Sequence, residues 1–600
     1  MINNKEIVSI NEIKNLSIKE LEEQADLIRN YIIDNVSHTG GHLSANLGVV
    51  ELTIAIHYVF NSPTDKIIFD VGHQVYTHKI LTDRKESFPT LRQYNGLSGF
   101  PKVSESIHDV WETGHSSTAL GAALGMVEAK KLDKSIGEII ALVGDGSIQN
   151  GLSLSALNFL ASKKDEKVII ILNDNEMSIS KNVGGLSDFF NKLRIRKSYS
   201  LFRRITPKFV RNTFKMFVYK NDNLFTNLGF KYFGPIDGHD LKSLIKYLEY
   251  AKNYNKSIIL HVKTTKGKGY LPSEMDCVGK WHGVGPFDKA TGEQNQKYLD
   301  GYSSWSEEIG KILLEEVEKN KSIKIISPAM IHGSGLDLIN EKMKDSIIDV
   351  GINEELACLM AAAMSKNKII PIVSIYSTFI QRSYDILNHD ISRTDAHVIF
   401  MIDRSGIISG DGSTHQGIYD ISITCGLPNF YISMPRSIKQ AKELLDKAIL
   451  TPHPFIIRYP KGKVLLSNDI DNGFTINDYS WEIMLPIASD VCVITYGDDA
   501  NEFYYAIKNS GKNIGLVNAL FIKPIDFELI EKLNNKKVIV YEEVIKNGSL
   551  GSMISEYILE KKLSIEFKHF AIDDVIVQEG SVTDLKNSCG LNIKEIIEKI

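Results

Sequence analysis

Apolar positions recur along this chain in two periods, and the change from one to the other marks its elements. Near the start, Ser17 and Glu20 have the spacing of a capping box, with Leu16 and Leu21 placed as a hydrophobic staple. Leu21, Ala25, Ile28 and Ile32 follow at helical period, which predicts an amphipathic helix. Farther on, IIALV at 139–143 and VIIIL at 168–172 are short, wholly apolar runs, the pattern of strands buried on both faces. Residues 152–160 between them read as a helix, so the unit is β-α-β with a right-handed crossover and a parallel sheet. A strand is predicted again at 258–262. A second set follows at 346–350, 369–375, 398–402 and 455–458, and a third at 491–496, 514–517 and 537–541. Residues 190–227 are basic and aromatic without clear period and read as a mobile excursion. The stretch 283–300 reads as a linker. No internal repeat is visible. The economical architecture is three doubly wound α/β domains with mainly parallel sheets, over 1–300, 301–480 and 481–600.

Composition narrows the function without naming it. The net charge of −5 gives no global basic field, so nucleic acid is not an expected partner. The N-terminus, MINNKEIVSINEI, lacks the charged and apolar regions of a secretory signal. No run approaches about 18 uninterrupted apolar residues, so no membrane span is expected. The five cysteines, Cys277, Cys358, Cys425, Cys492 and Cys589, are scattered and form no CxxC pair. Reduced thiols and a cytoplasmic location are the expectation.

The strongest local chemistry lies at two predicted strand ends. Gly144-Asp145-Gly146 follows the first apolar run and Asn173-Asp174-Asn175 the second. Consecutive parallel strands put both motifs at the carboxyl edge of the sheet, where α/β folds bind ligands. Asp145 offers a hard anionic oxygen and Asn175 a neutral one. The carbonyl of Met177 can add a third. Magnesium suits such a set, because it takes few protein groups and fills its octahedron with phosphate oxygens and water. Glycines beside the carboxylate let backbone approach a diphosphate closely. A lone GDG would read as a strand-ending turn; the second motif shifts the balance toward a metal-diphosphate site.

GDG followed about 30 residues later by NDN resembles the thiamine-diphosphate motif of the transketolase superfamily. The surrounding text is narrower. TGGHLSANLGVVELT at 39–53, FDVGHQVYTHKILT at 69–82, LSGFPKVSESIHDV at 97–110, TGHSST at 113–118, NDNEMSIS at 173–180 and YFGPIDGHD at 232–240 resemble the 1-deoxy-D-xylulose-5-phosphate synthase family. So do IYSTFIQRSYD at 375–385, DRSGI at 403–407, DGSTHQG at 411–417 and RYPKG at 458–462. The resemblance is collinear from about residue 10 to the C-terminus. It implies a transketolase-like fold whose first domain takes the diphosphate and magnesium, whose second takes the aminopyrimidine, and whose third supports assembly. It also implies a homodimer, with the cofactor held between domains one and two of one subunit. The implied reaction condenses pyruvate with glyceraldehyde 3-phosphate and releases carbon dioxide, the entry step to non-mevalonate isoprenoid precursors.

The resemblance also implies roles for individual residues. Glu354 would hydrogen-bond the aminopyrimidine ring, Phe379 would stack on it, and Arg382 would complete that wall. Gly114, His115, Ser116, Gly144, Asp145, Gly146, Ser147 and Lys266 would surround the diphosphate, with Asp145, Asn175 and Met177 on the metal. His42, His73, His282 and His415 would line the reaction pocket and move protons. Tyr376, Arg404, Asp411, His415 and Arg458 would meet substrate, the two arginines through the acceptor phosphate. One departure stands out: the family has Ala-Glu-Gln-His-Ala where this chain has Asn353-Glu354-Glu355-Leu356-Ala357. The alternatives are a transketolase-like ketol transfer and a non-catalytic relative that keeps only the cofactor site.

Overall fold

The central strands, such as those through 139–143 and 169–172, are apolar at every position and buried on both faces. The computed structural model describes residues 6–175, 183–187, 223–276, 278–294, 300–467, 474–476 and 478–600. The chain forms two compact units, Met1–Gln296 and Lys297–Ile600.

The first unit is built on a five-stranded sheet. Its strands are β1 (Lys66–Phe69), β2 (Ile139–Gly144), β3 (Ile169–Asp174), β4 (Lys231–Asp237) and β5 (Ile258–Lys263). The order is β1-β2-β3-β5-β4, and every pairing is parallel. Successive side chains go to opposite faces. Ile140, Leu142, Ile169 and Ile171 enter one core, and Ile139, Ala141, Val143, Ile170 and Leu172 the other. Helix Ile18–Thr39 packs Leu21, Ala25, Ile28 and Ile32 into the first core. Its capping box is present: Ser17 Oγ accepts from Glu20 N–H at 3.3 Å, and the Glu20 carboxylate accepts from Ser17 N–H at 2.8 Å. Such a cap contributes about 1 kcal/mol. Helices Ala119–Leu132 and Gly151–Ser162 cover the opposite face.

The linker expected at 283–300 is not one over its described part. Phe287 and Trp281 are buried and pack edge-on at 4.9 Å, with Tyr270 beside both. Gly41 and Val284 pair through both backbone groups, at 2.8 and 2.9 Å. One aromatic anchor in a polar, glycine-rich stretch is enough to tie it to the unit. The excursion expected at 190–227 lies outside the described residues except for its end, where Asn223 caps the short helix Leu224–Asn227.

The second unit has strands β6 (Tyr302–Ser304), β7 (Ile323–Ser327), β8 (Ile347–Asp349), β9 (Ile370–Tyr376), β10 (Ile399–Asp403), β11 (Tyr431–Ser433) and β12 (Phe455–Arg458). It continues with β13 (Lys463–Leu465), β14 (Glu482–Leu485), β15 (Val491–Thr495), β16 (Gly515–Asn518), β17 (Phe521–Lys523), β18 (Lys537–Ile545) and β19 (Glu566–Ile572). A seven-stranded sheet runs β17-β11-β12-β10-β9-β7-β8, and a five-stranded sheet runs β14-β16-β15-β18-β19. Both are parallel except at β17 and β14, and β6 and β13 form a separate antiparallel pair. β17 comes from the expected third segment yet pairs with β11 of the second, and one apolar core runs through both sheets.

Candidate functional site

In the first unit, the expected residues gather at the carboxyl ends of the strands. β2 stops at Gly144, and Asp145 N–H donates to Asn173 O at 3.0 Å, so the GDG turn is locked to the end of β3. Asp145 is 2% exposed, and its Oδ1 accepts from Gly146 N–H at 3.1 Å. Asn173 and Asp174 are fixed from β5: Thr264 Oγ1 donates to Asn173 Oδ1 at 2.7 Å, and His261 Nε2 meets Asp174 Oδ2 at 2.7 Å. Asn175 follows directly and is half-buried. Lys266 lies in electrostatic reach of Asp145. Burial pushes its ammonium down to about 8, against the pull of Asp276 and Asp145. A Cβ on Gly144 would meet nothing nearer than Ser147 Oγ at 3.9 Å. Open backbone, a buried carboxylate and a desolvated lysine fit a metal-bound diphosphate. Met177 lies outside the described residues.

Three of the four predicted histidines stand together in the same unit. The ring centroids of His42, His73 and His282 are 5.4, 5.5 and 5.0 Å apart, and Phe100 closes on His42 at 5.5 Å. Asn46 makes the arrangement: its Nδ2 donates to His42 O at 2.6 Å and to His73 O at 2.7 Å, while its Oδ1 accepts from Tyr76 N–H at 2.8 Å. His42 N–H then donates to Tyr76 Oη at 3.0 Å. His282 arrives through the Gly41–Val284 pairing. Gly40, at φ +72°, has to be glycine here, since a Cβ would lie 2.6 Å from Val284 O.

In the second unit, Glu354 opens the helix Glu354–Ser365 just after β8. It is 3% exposed, and burial raises its carboxyl above the usual range; Arg382, at 3.4 Å, pulls it back, and the charge of Glu355 pushes it up again. Tyr376 ends β9, Phe379 stacks on it at 5.6 Å, and His415 meets Phe379 edge-on at 5.7 Å. The Arg404 guanidinium lies 3.9 Å above the Tyr376 ring, a cation–π contact. Arg404 holds φ +59°, with Asp403 Oδ1 accepting its N–H at 2.6 Å and Ser306 donating to Asp403 Oδ2 at 2.8 Å. Burial pushes the Asp403 carboxyl up to about 6. The buried Asp411 acts electrostatically on both Arg404 and Tyr376, and His415 Nδ1 meets Thr414 Oγ1 at 2.8 Å.

Comparison with known proteins fits this geometry. Residues 4–264 match the family model described as 1-deoxy-D-xylulose-5-phosphate synthase. Residues 302–465 match the transketolase pyrimidine binding domain, and 481–596 the transketolase C-terminal domain. The 1-deoxy-D-xylulose-5-phosphate synthase of Macrococcus caseolyticus is 42% identical over 98% of this chain and 97% of its own length. That of Listeria monocytogenes is 42% identical over 98% and 95%, and that of Clostridium acetobutylicum 39% over 98% and 98%. The chain belongs to the 1-deoxy-D-xylulose-5-phosphate synthase family. Against the family pattern, the departure beside Glu354 falls on outward positions: Leu356 is 45% exposed and Glu355 half-buried. The carboxylate itself stays covered.

One expected substrate contact has a second partner in the fold. Arg458 is 1% exposed and forms a two-pronged ion pair with Asp420, Nε to Oδ2 at 2.6 Å and Nη2 to Oδ1 at 3.0 Å. Its Nη1 faces Met434 Sδ at 3.3 Å. The pair takes only the Nε–H and one Nη2–H of a guanidinium that has five N–H donors, so Arg458 can hold Asp420 and still offer Nη1 to an acceptor phosphate. Asn46, Asp70 and Asp403 were not singled out from the sequence. All three lie inside quoted motifs, Asn46 in TGGHLSANLGVVELT, Asp70 in FDVGHQ and Asp403 in DRSGI, and for the two aspartates a carboxylate at a strand end is the one signal that pointed to them.

Proposed function

We propose that this chain makes 1-deoxy-D-xylulose 5-phosphate from pyruvate and D-glyceraldehyde 3-phosphate, with the residues above in these roles. The chain is a thiamine-diphosphate- and metal-dependent transferase. When bound, thiamine diphosphate supplies the carbon nucleophile and the electron sink for loss of carbon dioxide. Asp145, Asn175 and Met177 hold the metal, and Gly114, His115, Ser116, Gly144, Gly146, Ser147 and Lys266 receive the diphosphate. Glu354 bonds the aminopyrimidine ring, Phe379 stacks on it, and Arg382 keeps Glu354 in place. His42, His73 and His282 hold and move protons beside the donor substrate. Tyr376, Arg404, Asp411, His415 and Arg458 orient the acceptor, with the two arginines as cations for its phosphate.

The observation that carries this reading is the buried Glu354 with its raised proton affinity, since a carboxyl that holds a proton near a ring nitrogen needs that environment. A homodimer in the cytoplasm completes the assignment. Leu152 and Phe159, about half exposed on the helix Gly151–Ser162, support a covering second copy. Cys358, Cys425, Cys492 and Cys589 are free thiols, and no helix of the described residues is long and apolar enough to cross a membrane. The test is to combine purified protein with cofactor, magnesium and both substrates and to seek the product by mass spectrometry, with Glu354→Ala alongside. Product from both proteins at equal rate would sink the role of Glu354, and product from neither would sink the function.

A further inference from the structure

The loop 113–118 carries Gly114, His115 and Ser116, but its internal bonds only shape the turn. Thr113 Oγ1 donates to His115 O at 2.9 Å and meets Thr118 Oγ1 at 3.1 Å. The helix Ala119–Leu132 begins at once, and Thr118, its N-cap, gives no side-chain cap. The first N–H groups of a helix need acceptors, so these must be met from elsewhere.

Asp70, directly after β1, meets the first of them and one N–H of the preceding loop. Its Oδ2 accepts from Ser117 N–H at 2.9 Å, and its Oδ1 accepts from Ala119 N–H at 3.0 Å. The residue is 1% exposed. Its backbone is fixed to the sheet edge: the N–H donates to Leu142 O at 2.8 Å, and the carbonyl accepts from Gln74 Nε2 at 3.1 Å. Burying a carboxylate is costly unless it is hydrogen-bonded, and a helix N-terminus is one of the few places that offsets the cost. A local cap would have satisfied the helix with less desolvation. What the distant carboxylate adds is position.

Ser117 transmits that position. It sits at φ +72°, a conformation that a non-glycine residue holds only when its surroundings impose it. Its Oγ donates to Ser147 O at 2.9 Å, the residue that follows the GDG turn. One carboxylate therefore sets the 113–118 loop in register with the turn that carries Asp145.

We infer that Asp70 is the positioning residue of the diphosphate cradle: through Ser117 it sets Gly114–Ser116 against the GDG turn, without itself touching cofactor or substrate. This rests on the reading of those two loops as the diphosphate site.

The test is calorimetry of the full chain with thiamine diphosphate and magnesium, paired with steady-state kinetics at saturating cofactor. Asp70→Ala should weaken cofactor binding by roughly 10–100-fold, the usual loss for an outer-shell partner. Asp70→Asn, which keeps one acceptor oxygen, should lose less. Ser117→Gly relieves the left-handed strain and removes the Oγ bonds to Ser147 O at 2.9 Å and Ser116 Oγ at 3.3 Å, so it should fold and weaken binding by at least about fivefold, the worth of one hydrogen bond. At saturating cofactor, kcat and the pyruvate KM should stay within about threefold of wild type, because the chemistry is intact once the cofactor is seated. Should Asp70→Ala fail to fold, Ser117→Gly decides alone. Wild-type affinity in Ser117→Gly overturns the inference, and so does a fall in kcat at saturation that matches the fall in affinity. Gly114→Val separates the two levels: wild-type affinity there sinks the reading of the loop itself. Weakened binding in Gly114→Val with unchanged binding in Asp70→Ala sinks only the role of Asp70.

Discussion

The strand ends of the first unit and those of the seven-stranded sheet are built on opposite plans. In the first, backbone makes the site. Asp145, Asp174 and Asp70 are buried at the edge, and Asp70 and Asp145 spend oxygens on the N–H groups of loops. In the second, side chains make the site: Arg404 lies on Tyr376, Tyr376 on Phe379, and Phe379 against His415. A diphosphate and a metal keep their charge through a reaction, so rigid backbone suits them. Groups that change during a reaction need side chains with adjustable protons and stacking faces. The diphosphate turns of the first unit should therefore control affinity, and rate falls to the second region together with His42, His73 and His282.

The largest effect expected is on the first side. Asp145→Ala should cut magnesium-dependent cofactor affinity by at least about 100-fold, since it removes the one carboxylate proposed for the metal. Titration calorimetry with and without magnesium reads this, and a loss independent of magnesium would break the assignment. Glu354→Gln is the counterpart. It should lower kcat by roughly 10²–10⁴-fold, the range of a proton-transfer role, while cofactor affinity changes much less. If Glu354→Gln and Asp145→Ala lost affinity alike, the division between regions would fail.

Two arginines sharpen the contrast within one sheet edge. Arg404 follows β10 and Arg458 ends β12, adjacent parallel strands with Ile402 beside Arg458. Arg404→Ala should raise the KM for glyceraldehyde 3-phosphate by roughly 10–100-fold, the loss of a charge-assisted contact, with little change for pyruvate. Arg458→Ala should in addition cost about 3–5 kcal/mol of stability, because it strands Asp420 in the core. Urea unfolding distinguishes them. An Arg458→Ala without a selective acceptor defect would take Arg458 off the phosphate and leave it the Asp420 pair alone.

What could be read from the sequence follows from range. Period and capping are local, so helix Ile18–Thr39 and strands β2, β3, β9 and β12 are legible to within a residue or two. β4 is not, because Gly234-Pro235 interrupts its pattern. The structure puts β4 at the sheet edge with an irregularity between Phe233 and Ile236, where a proline is tolerated. The linker reading at 283–294 failed because one buried phenylalanine outweighs many polar neighbours. The motif residues were found by resemblance, but what holds them was not. Asn46 joins His42 to His73, and Asp70 reaches Ser117 across 47 residues; no spacing rule connects such partners.

The smallest effect concerns the family departure beside Glu354. Glu355 is half-buried, and its charge raises the proton affinity of its neighbour, whereas the glutamine of the family pattern would not. Burial dominates that shift and Arg382 opposes it, so Glu355 is a correction to a carboxyl already held above its ordinary range. Replacing Glu355 with glutamine removes a negative charge, which eases ionisation of Glu354 and lowers its pKa. Activity that requires the protonated carboxyl should then be lost at lower pH, and the alkaline limb of kcat/KM for pyruvate should move down while the acid limb stays. Because Glu355 is partly exposed, added salt should shrink the difference between the two proteins. An alkaline limb that stays put at low salt would mean that the charge at 355 does not reach Glu354, and that the altered run is neutral for this step.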